Sequence, residues 1–340
     1  MNVNLVLTAV CLCWASISCF AQDSYSKEYR NALRYGAKVK ITVAASDSGA
    51  SPVSNATVNI FFEQKDGNQY KKEGETDVLG MFTVEGMTRS SIGGCVKKDG
   101  FYRSDFHLPF AMGQERINGN RWLPWNPTIP VVLREVRNPI PMYVKSVDHI
   151  LPKGVSIGFD CVVGEFLPPV GKGEVADFNV LVEQNGVLTK DRKFSKRMIL
   201  QATSEGGGFV FLKAHSASAF KSEHQAPLDD YAGSVDFYAE YPPSSASTPT
   251  IDPFASGKYM VFRSRIERDD EGNIIEANYG KIYETIEYGR NARIQTDEES
   301  TIRFLYYFNP TPNDRNLEFD GKNNLFKPGW NSNLNWSRDP

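Results

Sequence analysis

Four histidines, His107, His149, His215 and His224, are the first place to look for metal chemistry. A zinc hydrolase of the carboxypeptidase kind needs His-x-x-Glu plus a distant histidine, so that nitrogen and carboxylate ligands converge on the ion. The third residues after these histidines are Phe110, Pro152, Ser218 and Pro227, so the ligand spacing is absent. They read instead as loop or satisfied strand positions. GVSIG, from Gly154 to Gly158, matches the nucleophile pattern G-x-S-x-G and nominates Ser156. Such an elbow needs a buried strand before it and a helix after it, whereas Pro152-Lys153 precedes and an apolar strand pattern follows. Ser156 therefore reads as a strand residue. SEGGGF around Gly206 lacks the Lys-Ser/Thr and the following helix of a phosphate loop, and reads as a turn. No catalytic residue, metal site or cofactor is expected.

Two constellations remain. Asp314, Arg315, Asn316, Glu318 and Asp320 crowd one stretch, where alternation along NLEFD sets Leu317 and Phe319 on one face and Glu318 and Asp320 on the other. That suits a calcium site or a carboxylate pair, but the spacing does not fit the twelve-residue calcium loop, and surface ion pairing is the expected role. Tyr279, Lys281 and Tyr283 share one face of a strand, opposite Gly280, Ile282 and Glu284, with Tyr259 nearby. If exposed, these rings form a platform for sugar rings or a partner protein; the other reading is a tyrosine-rich core edge. Tyr259, Tyr279 and Tyr283 are the candidate binding residues.

The 340-residue chain carries 38 basic and 41 acidic residues, a net charge of -3, with no long block of either sign. No electrostatic footprint for nucleic acid is visible. Residues 1–21 have an apolar core from Val3 to Ala15 and small residues before Gln22, the layout of a cleavable export signal. The alternatives are a short membrane anchor, although the run spans a bilayer poorly, and a lipoprotein acylated at Cys19. Signal removal takes Cys11, Cys13 and Cys19 and leaves Cys95 and Cys161, which is no disulfide framework. A single bridge between the two needs α-carbons within about 7 Å, and two unpaired thiols are the other outcome. No second apolar run approaches spanning length, so no membrane span is expected after cleavage.

The elements that must position these residues are strands. A short helix fits 22–36, with Tyr25, Tyr29, Ala32 and Leu33 at helical spacing and Gly36 as its stop. AKVKITVAA then alternates Val39, Ile41 and Val43 against Lys38, Lys40 and Thr42; ATVNIFFEQ, GMFTVEG and TIPVVLREV follow. Pro139 and Pro141 mark a stiff linker over 138–142. Beyond it come VSIGFDCVV, with Cys161 on its apolar face, VADFNVLVEQ, KRMILQAT, GFVFLKAH, SVDFYAEY, KYMVFRSRIERD, NIIEANYGKIYETIEYG and TIRFLYYFN. In the last, Ile302, Phe304, Tyr306 and Phe308 share a face suited to packing on a second sheet. The reading is all-β, two β-sandwich domains at 37–137 and 143–328, with a tail at 329–340.

The first domain has further landmarks: Gly49, Pro52 and Val53; Ala56 and Val58; the turn TDVLGMFTVEG with Thr76, Asp77, Gly80 and Phe82; then Lys98, Gly100 and Tyr102. This order, over 37 to about 135, resembles the carboxypeptidase regulatory-like domain, a transthyretin-like seven-stranded β-sandwich. The chain has one residue more between Gly49 and Pro52 than the family's usual spacing, and Asn55 stands where a glycine is common. Asn tolerates the left-handed conformation that glycine would take there. The turn also has a purely structural reading: Thr76 and Asp77 bond backbone amides, Gly80 supplies positive φ, and Phe82 and Val84 face the core. With its tail FNPTPNDRNLEFDGKNNLF, the whole chain resembles a group of exported bacterial proteins that pair this module with a second β domain. The resemblance implies a non-catalytic, structural or binding role at the cell envelope, in the periplasm or secreted, toward a polysaccharide or an exported protein. The alternative is a carbohydrate-active enzyme with its carboxylates in the second domain.

Overall fold

Ser26 opens the one α-helix of the described residues by accepting the Tyr29 N–H on its hydroxyl at 3.1 Å, and Gly36, at φ +87°, closes it. This α1 (Lys27–Tyr35) buries Tyr29 and Ala32 and sets Tyr29 edge-on to Trp122 at 6.1 Å. The computed structural model describes residues 25–65, 67–186, 194–241, 250–255, 257–289 and 298–326. The expected signal segment 1–21 with Cys19, and the tail 329–340, lie outside them. The chain divides into two compact units, Met1–Glu135 and Val136–Pro340.

The first unit contains β1 (Ala37–Asp47), β2 (Thr57–Glu63), β3 (Gln69–Glu75), β4 (Met81–Thr88), β5 (Ser91–Lys97), β6 (Ser104–Pro109), β7 (Ile117–Asn118), β8 (Arg121–Trp122) and β9 (Thr128–Leu133). Seven of these have six residues or more; β7 and β8 form a two-residue hairpin. One sheet has β1 between antiparallel β4 and parallel β9, with β8 and β7 continuing beside it; the other runs β3-β2-β5-β6. Alternation explains the core: Val39, Ile41 and Val43 of β1 face inward with Val58, Ile60 and Phe62 of β2. Trp122 is fully buried in that core and donates its indole N–H to the Thr88 carbonyl.

The second unit contains β10 (Ile140–Pro152), β11 (Ser156–Asp160), β12 (Glu165–Phe166), β13 (Phe178–Asn185), β14 (Phe194–Ala202), β15 (Gly208–Lys213), β16 (Ser234–Tyr241), β17 (Thr250–Ile251), β18 (Lys258–Arg268), β19 (Ile274–Gly289), β20 (Glu299–Asn309) and β21 (Phe319–Asn324). They form two six-stranded sheets, β15-β18-β19-β20-β10-β21 and β12-β11-β13-β14-β16-β17. The expected face of Ile302, Phe304, Tyr306 and Phe308 packs into the core between them, with Phe159, Phe178 and Phe262. The protein is thus all-β, built of β-sandwich units.

Two details depart from the sequence reading. Residues 138–142 are not simply a linker: the unit boundary falls after Glu135, and β10 begins at Ile140 by pairing with Phe319 of β21. The ladder is irregular between Ile140 and Met142, where Pro141 has no N–H to contribute. VSIGFDCVV is shorter as a strand than its alternation suggests. Asp160 ends β11 by accepting the amides of Val162 and Val163, so Cys161 is buried in a turn and not on a strand face.

Candidate functional site

The turn between β3 and β4 has the internal bonding its residue types suggest. The Thr76 hydroxyl, buried, donates to the Val53 carbonyl at 2.7 Å and accepts the Ala56 N–H at 2.9 Å. Asp77 Oδ1 accepts the amides of Leu79 and Met81, both at 2.9 Å. Gly80 has φ +72°, and a Cβ there would lie 2.4 Å from the Ala45 carbonyl oxygen. Phe82 packs against the first core. Asn55 indeed takes the left-handed conformation, at φ +51°, as does Ala50 in the lengthened loop, at φ +65°.

The tyrosine platform is corrected by the structure. Tyr259, Tyr279 and Tyr283 are only 1%, 6% and 8% exposed. They lie on one face, as alternation requires, but that face is covered by Ala226, Leu317 and Phe319, with Tyr231 packed alongside. The covering segments are joined to each other by bonds from Ala226 N–H to the Arg315 carbonyl and from Leu317 N–H to the His224 carbonyl. Tyr259 accepts the Glu223 amide at 2.7 Å, and Tyr283 accepts the Ser222 amide at 3.1 Å. Lys281, fully buried, donates to Tyr283, Ser222 and the Leu317 carbonyl, and its ammonium lies 4.7 to 5.0 Å from the ring centres of Tyr283, Tyr307 and Phe220. Burial drives the Tyr283 phenol far above its ordinary pKa. These residues hold a second hydrophobic layer together.

The polar cluster at 314–320 is also corrected. Glu318 is 1% exposed and accepts the amides of Arg137 and Asn138 at 2.9 and 2.7 Å, so it anchors the chain entering β10 instead of pairing at the surface. Leu317 and Phe319 are buried as well, because both faces of this stretch are covered. Asp320 caps a turn through Lys322 and Asn323, whose hydrogen bonds outweigh its burial and lower its pKa.

A buried pair of carboxylates does exist, where sequence reasoning did not look. Asp160 accepts four backbone amides, from Val162, Val163, Glu174 and Val175, and the Arg265 guanidinium at 3.0 Å. Asp177 accepts the Cys161 amide, the Ser264 hydroxyl and Arg265. Arg265 reaches both from a bulge in β18 at φ +51°. Burial opposes ionisation of Asp160, but its amide bonds prevail and its pKa is lowered. This cluster staples β11, the turn after it and β18.

The four histidines are dispersed. His107 is in β6; His149 meets Phe166 edge-on at 5.6 Å, and burial lowers its pKa; His215 bonds Glu223 at 2.9 Å; His224 lies against Phe220. Ser156 is an exposed residue opening β11 and pairs with Leu181 of β13. Among the described residues, no group of three or more His, Cys, Asp or Glu side chains is arranged to hold a metal.

The feature best suited to meeting a ligand lies in the first unit, on the outer face and free edge of β4. A groove of about 390 Å³ is lined by Trp125 and Tyr70, with Lys38, Gln64, Lys72 and Glu85 among its polar groups. Among the described residues β4 pairs only with β1, so its other edge has no strand partner. Lys72 bonds the Glu85 carbonyl at 2.6 Å and Gln64 the Met87 carbonyl at 3.1 Å, which blunts the edge against strand addition while keeping its side chains accessible. Tyr70 is 54% exposed. Trp125 is held from both sides: Asn126 beside it bonds the Lys40 carbonyl, and the Arg121 guanidinium lies 5.1 Å from its ring centre. The available sequence signal was the pair Trp122 and Trp125 in RWLPWNP, of which the structure buries one and presents the other.

Comparison with protein-family models and with curated proteins finds no match. Among solved structures, chlorocatechol 1,2-dioxygenase from Pseudomonas putida is similar at 12% identity over 29% of this chain and 61% of that one, with a TM-score of 0.25. A Streptococcal ancillary pilin is similar at 14% identity over 55% and 59%, with a TM-score of 0.20. The shaft pilin spaA from Lactobacillus rhamnosus GG is similar at 12% identity over 76% and 91%, also at 0.20. Scores of this size give these likenesses no weight for activity. Among the described residues, no helix is long and apolar enough to cross a membrane.

Proposed function

We propose that the chain is an exported, non-catalytic β-sandwich protein of the cell envelope, and that its first unit binds a glycan chain in the groove at β4. The export signal read at 1–21 supports the location, and the resemblance to the carboxypeptidase regulatory-like module supports the non-catalytic role. The observation that carries the binding reading is the groove itself. Two part-exposed rings, Trp125 and Tyr70, line it together with charged and amide side chains, the combination that stacks on the apolar face of a sugar while bonding its hydroxyls. The buried carboxylates of the second unit fit a structural role, since each is occupied by several donors.

The test is retention on envelope polysaccharide by affinity electrophoresis. Trp125→Ala and Tyr70→Ala are each expected to weaken retention about two- to tenfold, the worth of one ring contact, about 0.5–1.5 kcal/mol. Unchanged retention in both variants would remove the groove from consideration. Turnover of the glycan by the purified protein would favour the enzyme reading instead.

A further inference from the structure

The groove carries an uneven charge. Lys38 and Lys72 line it, and Arg121 lies over the Trp125 ring; among the described residues none of these three is ion-paired with a carboxylate. Among the described residues Glu85 is the one carboxylate of the lining, and Lys40 already pairs with it at 3.0 Å. The site therefore concentrates positive charge on a chain whose net charge is -3. Lys72 is held by its bond to the Glu85 carbonyl, so its charge stays at the groove, and Arg121 is oriented by the indole face beneath it. A neutral sugar needs rings and hydrogen-bonding groups, not three cations. Unpaired cations beside a stacking ring make an electrostatic trap for an anion attached to a ring-shaped body.

We infer that the ligand of this groove is an acidic polysaccharide, one whose sugar rings carry carboxylates: the ring stacks on Trp125 while the carboxylate is taken by Lys38, Lys72 and Arg121. This rests on the glycan-binding reading above and adds the ligand's charge. Planar carboxylates suit the Arg121 fork, and the ammonium groups supply longer-range attraction that salt screens.

The experiment measures binding of the full chain to three soluble polymers: polygalacturonate, with rings and charge; dextran, with rings alone; and polyglutamate, with charge alone. Polygalacturonate is expected to bind at least about tenfold more tightly than either of the others, and to weaken steeply as salt rises from about 0.05 to 0.5 M. Lys38→Gln, a change at an exposed position, should lower polygalacturonate affinity and flatten its salt dependence, and adding Lys72→Met should deepen both effects. Dextran, which offers the lysines only hydroxyls to bond, should lose much less affinity than polygalacturonate in both variants. Thermal unfolding of each variant checks that the fold is retained, and Lys38→Gln serves alone if Lys72→Met disturbs β4. Dextran binding equal to polygalacturonate binding, or lysine variants that leave polygalacturonate affinity and its salt dependence unchanged, would overturn the charge inference and leave the glycan reading standing. Polyglutamate binding as tight as polygalacturonate would overturn it too, by showing a patch for any polyanion. Loss of the glycan reading has its own signature, Trp125→Ala and Tyr70→Ala that both leave polygalacturonate and dextran binding unaltered.

Discussion

Gly80 shows how far a single residue can be read from sequence and where packing adds to it. Its turn calls for positive φ, and it has +72°; the structure adds that a side chain would also meet the Ala45 carbonyl at 2.4 Å. Gly80→Val should therefore cost more than backbone strain alone, at least about 2 kcal/mol, read as a lowered midpoint in urea unfolding. Asp160 was not legible as a special residue, because its partners come from Val162, Glu174 and Arg265, the last more than a hundred positions away. Its folded pKa lies below the unfolded carboxylate value of about 3.9, so its stabilisation is present above that value and is lost as pH falls through the lower folded one. Asp160→Asn should destabilise the protein by about 1–3 kcal/mol at pH 7, and its deficit against the parent should shrink in acid below pH about 4. Urea midpoints at both pH values decide it; a deficit independent of pH would contradict the assignment.

At the scale of elements, strand existence was legible from alternation and strand surroundings were not. β18 and β19 belong to a sheet covered on both faces, by the second sheet on one side and by the segments around Ala226 and Leu317 on the other. The available signal was continuity: Tyr259, Met260, Val261 and Phe262 are all buried, and an apolar run without alternation marks a doubly buried strand. The tyrosines alternate on β19, but period two says only that they share a face, not whether water or protein covers it. The buried environment reverses the expectation for an exposed platform. Tyr279→Ala with Tyr283→Ala should destabilise the second unit by several kcal/mol, about 3–5 for each buried ring removed, measured by thermal and urea unfolding. Retained stability would mean that these rings are solvated in solution. Trp125 is the converse case, a ring whose accessibility depends on β1 and β4, which its own neighbours in sequence do not reveal.

For the whole molecule, the two units carry separate cores and one described cysteine each, Cys95 in the first and Cys161 in the second, neither bridged. Both thiols are buried, and burial pushes the Cys161 thiol well above its ordinary pKa, so alkylating reagents should modify neither in the native protein. Mass spectrometry after labelling across a urea series should show each thiol reacting as its own unit opens, with Gly80→Val advancing Cys95 and leaving Cys161 in place. Simultaneous advance of both would show that the units unfold together. The all-β class, the helix stopped at Gly36 and the turn at Thr76 to Phe82 followed from sequence, because each depends on local backbone preference or short-range periodicity. Only the tertiary structure decided that Tyr259, Tyr279, Tyr283 and Glu318 are internal, that Asp160, Asp177 and Arg265 meet, and that Trp125 and Tyr70 share a groove. Accessibility and charge partnership arise from segments distant in the chain folding over one another, and no local pattern encodes which segment will cover which face.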